Sequence, residues 1–409
     1  MGYLKHSVKG ITWVALLRVF TRALSFGKIA IIARLLSPLQ FGLFGIASIV
    51  LAFIEIVTET GINVFLIQEN EKEVKKYINT AWIVSIVRGV IVFLLIVFSS
   101  PFIVFFFNAP GSFDLILLIS LVPLVRGFIN PSVAFLQKEL QFQKEFYLKS
   151  FIFIIDALTS VILVYFLKSP SGIIYGLLVG GVVEVILSFL VVSPRPYFEF
   201  KVLHIQHILH RGKWVTVSGI FNYLYHNIDD VLVGKIINIG SLGLYSMVYK
   251  ISTLPISEVA DVISRVSFPV YVKIAGDKVR LKTAFLKTGI SVSLLSIPLG
   301  ALCILFPKEI ILIILGEKWI SAWPTLQVLG FFGIIRSISG TTSALFLSVN
   351  KQEYVALVTF VSFIGLIVTI VPLINMYGII GAAIASVIGS VVALPIMAYY
   401  TVKIFYEKS

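Results

Sequence analysis

Apolar runs of about 20 residues follow one another along the whole chain, separated by short stretches rich in Lys, Asn, Pro and Gly. A run of that length crosses a hydrocarbon core of about 30 Å as a helix. Backbone groups in lipid must be satisfied inside a helix or a closed barrel. Continuous rather than alternating apolarity excludes the barrel. The runs predict twelve helices, near 11–34, 42–67, 80–107, 115–137, 147–167, 172–192, 214–237, 244–272, 284–306, 323–349, 352–374 and 377–402. The longest connection, about 193–213, follows the sixth span and divides the chain into six plus six. The pattern therefore predicts an all-α polytopic membrane protein, with an N-terminal lobe of 1–200 and a C-terminal lobe of 201–409.

The two halves repeat. A shift of 201 positions without a gap puts Trp13 on Trp214, Arg34 on Lys235, Gly42 on Gly243 and Phe44 on Tyr245. ARLLSPLQFGLF (33–44) then occupies the register of GKIINIGSLGLY (234–245). Arg126 and Arg336 sit at equivalent depths in the fourth and tenth spans, each followed at a similar interval by an alanine, Ala134 and Ala344. Gly172, Gly176 and Gly180 in the sixth span are echoed by Gly381, Ala385 and Gly389 in the twelfth. Small residues at every fourth position let helices approach closely, so this pattern is read as packing and not as a phosphate loop. With an even number of spans per half, the copies point the same way, a parallel pseudo-two-fold repeat of the kind transporters use to enclose a path.

Composition agrees: 58% of residues are hydrophobic, 13% are charged, and the mean hydropathy is +1.01. The net charge of +13 would suggest nucleic acid in a soluble chain. Here it reflects cytoplasmic loops, where Lys and Arg accumulate. An N-terminus inside places Lys72, Lys75, Lys76, Lys138, Lys144 and Lys149 on the cytoplasmic side, and leaves Arg34, Lys168, Lys235, Lys308 and Lys318 outside. The expected location is the inner cell membrane, multi-pass, with both termini cytoplasmic. The basic start MGYLKHSVKG leads into a long span without a small-residue cleavage site, so the first helix is expected to be uncleaved. The single cysteine, Cys303, admits no intramolecular disulfide. His204, His207 and His210 recur at every third residue, but the apolar residues between them suit a helix at the membrane interface better than a metal site. No metal, cofactor or catalytic constellation is expected, and the external loops are too short to carry an enzyme's machinery.

Basic residues inside the spans are Arg18, Arg22, Lys28, Arg88, Arg126, Lys250, Arg265 and Arg336; acids are Glu55, Glu59, Asp156, Glu184, Asp229, Asp230, Glu258 and Asp261. A charge at the bilayer centre costs roughly 2.5–3.5 kcal/mol on insertion scales, so such residues line aqueous cavities or pair with one another. Arg18 and Arg22 share one face of the first span. With Arg88 and Arg265 at comparable depth they suit phosphate, because a guanidinium fork binds its oxygens in pairs and keeps its charge when desolvated. The competing reading pairs each arginine with a buried acid, such as Arg265 with Asp261. The seventh span is the most polar, and Asn222, His226, Asn227, Asp229 and Asp230 give it a stripe suited to sugar hydroxyls or a cation. Glu55, Glu59 and Asp156 are candidates for coupling to H⁺ or Na⁺, with structural pairing as the alternative.

The stretch WVALLRVFTRALSFGKIAIIARLLSPLQFGLFGIA (13–47), followed by ETGINVFLIQ (59–68), resembles the polysaccharide transporter family of Wzx-type flippases. That family shares a superfamily with multidrug extrusion proteins and lipid II flippases. The resemblance implies two helix bundles that open alternately to each membrane face, carrying a polyprenyl-(pyro)phosphate-linked oligosaccharide. It also implies arginines of the first span on the pyrophosphate, which Arg18 and Arg22 match and Arg265 matches more loosely. Polysaccharide assembly proteins such as a polymerase are the implied partners. Many family members have fourteen spans against the twelve read here. On the same fold, a multidrug antiporter for organic cations is the first alternative; it predicts an arginine-poor, acidic cavity. A membrane glycosyltransferase or polymerase is the second.

Overall fold

The computed structural model describes residues 2–68, 71–199 and 202–406, and among them every regular element is helical. The side chains of 2–11, 63–64, 68, 71–73, 75, 202–218 and several positions between 254 and 266 lie outside the described set. The helices are α1 (Gly2–Leu35), α2 (Pro38–Val57), α3 (Ile62–Gln68), α4 (Glu71–Phe107), α5 (Phe113–Arg126), α6 (Ala134–Lys138), α7 (Phe142–Leu167), α8 (Ser171–Val191), α9 (Val202–Ile236), α10 (Ile239–Ile274), α11 (Lys278–Leu305), α12 (Pro307–Ile314), α13 (Trp323–Ser348), α14 (Gln352–Tyr377) and α15 (Ile379–Tyr406).

Among the described residues, eight helices are long and apolar enough to cross a membrane, or nine if the pair around α5 and α6, bent by 71°, counts as one span. Three long helices fall short on apolarity: α1, α9 and α10. These are the helices that carry Arg18 and Arg22, the polar stripe from Asn222 to Asp230, and Arg265. Their polarity is what dilutes the apolar signal, and polarity of that kind inside a bundle marks a hydrated path.

Several boundaries differ from the sequence reading. The span expected at 42–67 is two helices, α2 and α3, separated by a turn at 58–61. The span expected at 115–137 is likewise broken between α5 and α6. The connection expected at 193–213 is shorter, because α9 already begins at Val202 and runs on as one helix through the segment read as interfacial. His204, His207 and His210 lie on it, outside the described side chains. A short helix, α12, also forms in the connection before α13.

The repeated motif encodes one junction twice. Ser37 caps α2 with a capping box: its Oγ accepts from Gln40 N (3.3 Å) and Gln40 Oε1 accepts from Ser37 N (2.9 Å). Pro38 supplies the fixed φ that suits a first helical position. At the equivalent place, Asn238 caps α10 and accepts from Ser241 N at 2.8 Å. The ends match in register, Leu35/Pro38 against Ile236/Ile239.

By contacts the chain divides into two compact units, Met1–Ile228 and Asp229–Ser409, so the division falls inside α9 and not at the 200/201 boundary read from the sequence. Within the first unit α2 packs on α4 and α5, α4 on α5, and α8 on α5 and α7, while α1 lies along α7. Trp13 meets Phe146 there, with ring centroids 5.2 Å apart. Within the second unit α10 packs on α11 and α13, α11 on α13, and α15 on α13 and α14.

Glycines set the closest approaches. Gly89 of α4 faces the Pro123 carbonyl and Gly127, and Gly300 of α11 faces Gly330 of α13. Gly172, Gly176 and Gly180 seat α8 on Val164, Ser160 and Asp156 of α7. Gly381 and Gly389 do the same for α15 against Leu373 and Ser362 of α14. A Cβ at Gly381 would run into the Leu373 carbonyl, which is backbone and cannot move aside. Gly381→Ala is expected to destabilise the second unit by about 1–3 kcal/mol, the usual cost of overpacking, seen as a lower melting temperature in detergent.

Candidate functional site

The two helix breaks of the first unit face one cavity. At the first, α2 ends at Thr58, and Gly61 adopts a left-handed φ of 66° that its missing Cβ allows. Glu59 Oε1 accepts from Gly61 N at 3.0 Å and closes the turn. Arg88 of α4 holds the end of α2: its Nε donates to Thr58 O (2.9 Å), and one terminal nitrogen donates to Glu55 O (2.7 Å) and Glu59 Oε2 (3.3 Å). A cation on the last carbonyls satisfies acceptors that the helix itself leaves open and complements its dipole. The sequence groups Arg88 with the phosphate ligands; in the structure its guanidinium is committed to this helix end.

At the second break, Pro131 biases Asn130 away from the helical region. Asn130 caps the turn that follows, accepting from Ser132 N at 2.9 Å and donating to Pro194 O at 3.2 Å. Arg126 is the last residue of α5, at the bend.

Between the breaks lies a cavity of about 450 Å³, within the range of roughly 300–1,000 Å³ typical of small-ligand sites. A second cavity of about 360 Å³ adjoins it, and the two share Arg126, Ile129, Lys149 and Glu184. Glu55, Glu59, Glu145 and Glu184 face Arg88, Arg126 and Lys149 across the first. Some of this charge is internally matched. Arg88 pairs with Glu59, and Lys149 Nζ lies 2.6 Å from Glu145 Oε1, which also accepts from Gln137 Nε2 at 2.7 Å. Arg126, Glu55 and Glu184 complete the charged lining, a guanidinium with two carboxylates. Such a set can donate to and accept from a polyhydroxylic ligand, whereas the excess of carboxylates over cations disfavours a bare phosphate.

Asp156 lines the second cavity and is engaged: Lys28 Nζ of α1 lies 2.8 Å from its Oδ2, and Ser160 Oγ donates to Oδ1 at 3.2 Å. Arg18, half-buried, and Arg22, exposed, stand on α1 toward its N-terminus from Lys28, and neither is among the residues lining these two cavities. Neither of these two cavities brings Arg88 together with them. Arg265 lies outside the described side chains.

The polar stripe of α9 resolves into separate roles. Asn222 is exposed; the Asn227 amide donates to Tyr223 O at 2.9 Å; and the His226 ring stands edge-on to Tyr225 at 4.8 Å. In the second unit, buried Asp229 accepts from Tyr245 OH at 2.7 Å, and Tyr245 OH lies 3.4 Å from Ser386 Oγ. Asp230 accepts from Ser246 Oγ at 2.6 Å and has Lys250 as its cationic neighbour. These carboxylates bind α9 to α10 before they are offered to any ligand.

Sequence reasoning missed Lys149, Glu145 and Gln137 as lining residues, because they lie near the charged end of α7 and in the broken segment before it. The retrievable signals were TETG (58–61) and GFINP (127–131), turn chemistry inside runs otherwise apolar enough to span. Irregular backbone at membrane depth is tolerated only where protein or a hydrated cavity surrounds it, so such breaks point to sites.

Known proteins resemble this chain in sequence and in fold. An uncharacterised membrane protein of a cps region in Klebsiella pneumoniae is 28% identical over 404 residues, covering 97% of this chain and 82% of that one. The lipopolysaccharide biosynthesis protein WzxC of Escherichia coli K12 is 26% identical over 350 residues, covering 85% of this chain and 71% of WzxC. The lipid II flippase MurJ, in an inward closed conformation, has the same fold: TM-score 0.76 at 18% identity, covering 95% of this chain and 88% of MurJ. The polysaccharide biosynthesis protein family matches residues 31–324, most of the length, and the chain belongs to that family.

Proposed function

We propose that the protein is a flippase that moves polyprenyl-(pyro)phosphate-linked oligosaccharide units from the cytoplasmic to the outer leaflet for cell-surface polysaccharide synthesis. The observation that carries this reading is the charged cavity at two helix breaks inside an otherwise apolar bundle. A membrane protein keeps ionisable groups at that depth where polar cargo or ions pass. Family membership supplies the biosynthetic context, and the likeness to MurJ supplies a fold on which a lipid-linked saccharide is moved.

In this reading the chain has twelve spans in two lobes related by a parallel repeat, with both termini cytoplasmic. The matching helix junctions and the matching packing pairs of the two units support the repeat. Arg18 and Arg22, with Arg265, take the phosphates. Arg126, Glu184 and Glu55 present hydrogen-bonding groups to sugar hydroxyls, and the polyprenyl tail stays in lipid. Rocking of the lobes exposes the headgroup to the other side. The candidates for exchanging a coupling H⁺ or Na⁺ are Glu55 and Glu59, which line the first cavity, and Asp156, which lines the second; Glu59 is paired with Arg88 and Asp156 with Lys28.

Removing the Arg126 guanidinium deletes charge-assisted hydrogen bonds worth about 1.5–3 kcal/mol each, or roughly 10–100-fold in affinity. Arg126→Gln is expected to slow transport by that order while the protein still folds. The check is complementation of a strain lacking its own flippase, together with the pool of lipid-linked intermediate left on the cytoplasmic face. Wild-type transport by both Arg126→Gln and Glu184→Gln would remove the cavity from the path.

A further inference from the structure

The second unit carries a groove that the flippase reading does not use. It runs along α11 and α13 and has a volume of about 540 Å³. Its α11 side recurs at four-residue helical spacing through Phe285, Gly289, Ser293 and Ile297, and Ile338 and Thr341 of α13 form the opposite wall. Leu286, Ile290 and Leu294 on it are 50%, 65% and 71% exposed. The floor is apolar and open along its length.

Two further observations say what covers it. From Phe285 to Pro298 the groove extends about 20 Å at 1.5 Å per residue, close to the roughly 15 Å depth of one leaflet's hydrocarbon. A chain confined to one leaflet fits that length. The groove's mouth, moreover, is basic. Lys282 lies three and four residues before Phe285 and Leu286, on the same helical stripe, and Lys287 flanks Ile290 three residues on. Lys282 Nζ donates to the neutral Tyr406 OH at 2.8 Å, which leaves its charge uncompensated by that contact. Lys287 is exposed; its carbonyl accepts from Ser291 Oγ at 2.9 Å, and its ammonium has no ion pair or hydrogen bond among the described residues. At the same end, Arg280 pairs with Asp277 and Lys351 with Glu353, so the acids there are already matched by other cations.

We propose that this groove seats one acyl chain of an anionic phospholipid, whose phosphate lies on Lys282 and Lys287. An apolar trough of leaflet length with cations at one end complements a single amphiphile that carries a negative head. The seat shares no lining residue with the charged cavity and stands whether or not the flippase reading does.

Gly289 offers a clean test, because a Cβ built there meets nothing within 4 Å. Gly289→Leu starts its side chain in open space within the groove lining, so it obstructs the groove, and it improves helix propensity. Native mass spectrometry of the full chain would compare phosphatidylglycerol, phosphatidylcholine with the same acyl chains, and polyprenyl phosphate. The wild type is expected to hold one phosphatidylglycerol about tenfold more tightly than phosphatidylcholine, from two lysines near the phosphate. Lys282→Gln/Lys287→Gln should erase that preference, and Gly289→Leu should lose the bound lipid, each at an unchanged melting temperature. Equal binding of the two phospholipids by the wild type overturns the proposal, as does phosphatidylglycerol binding untouched by both variants. Displacement of polyprenyl phosphate alone by Gly289→Leu would assign the groove to the cargo and overturn the phospholipid.

Discussion

An Arg18→Ala/Arg22→Ala double variant is expected to lose transport altogether while folding as the wild type does. The two side chains lie one turn apart on α1, Arg18 half-buried and Arg22 exposed, so both heads reach the same side of the helix. Guanidinium groups stay protonated wherever they are placed, which suits them to a phosphate that must leave water for a partly dry path. Each charge-assisted bond to phosphate is worth about 1.5–3 kcal/mol, so losing a pair of them weakens cargo binding by roughly 10²–10⁴. Lysine at both positions keeps the charge but not the planar fork, and should restore transport only in part. The readout is rescue of polysaccharide export in a strain without its own flippase, with membrane yield and melting temperature as controls. Full rescue by the double alanine variant would show that α1 does not hold the phosphate.

The second large effect concerns folding. Lys28→Met is expected to destabilise the first unit by about 3–5 kcal/mol, because it leaves the Asp156 carboxylate without its cation. The two side chains are only 14% and 13% exposed and meet at 2.8 Å, across 128 residues of sequence. Ser160 alone then solvates the acid, through one hydrogen bond. Neutralising both ends should recover most of the loss, because an uncharged pair carries no desolvation debt. Lys28→Met/Asp156→Asn is therefore expected to melt well above Lys28→Met. A single variant as stable as the wild type would mean the ion pair contributes little to holding α1 on α7.

The helical scaffold was largely legible because apolarity and small-residue spacing are local signals. The close seats at Gly176 and Gly381 could be placed from their four-residue spacing. The helix breaks were not legible, because an apolar window averages over Thr58–Gly61 and over Asn130–Pro131 without registering that the backbone turns there. For the same reason α9 looked shorter than it is: its first residues are amphipathic and read as an interfacial piece, while backbone hydrogen bonding carries the helix through them.

The site was legible as a charge inventory and not as a set of partners. Buried acids and bases could be named from their depth. Which acid meets which base depends on tertiary geometry, as with Lys28 and Asp156, or Arg88 and the end of α2. Arg88 shows the limit well, since a basic residue at the right depth was turned onto backbone carbonyls by the break that the window concealed. Lys149 shows the converse, since a lysine near a charged helix end lines the cavity beside Glu145.

The most direct test of the central claim is binding of a polyprenyl-pyrophosphate oligosaccharide to the purified chain, followed by native mass spectrometry. The wild type would be compared with the Arg18→Ala/Arg22→Ala variant, and a cationic dye would serve as the control ligand. The account predicts that the wild type retains the lipid-linked saccharide, that the variant loses it, and that neither takes up the dye. Dye binding without lipid binding would contradict the account and make the protein a drug antiporter on the same fold.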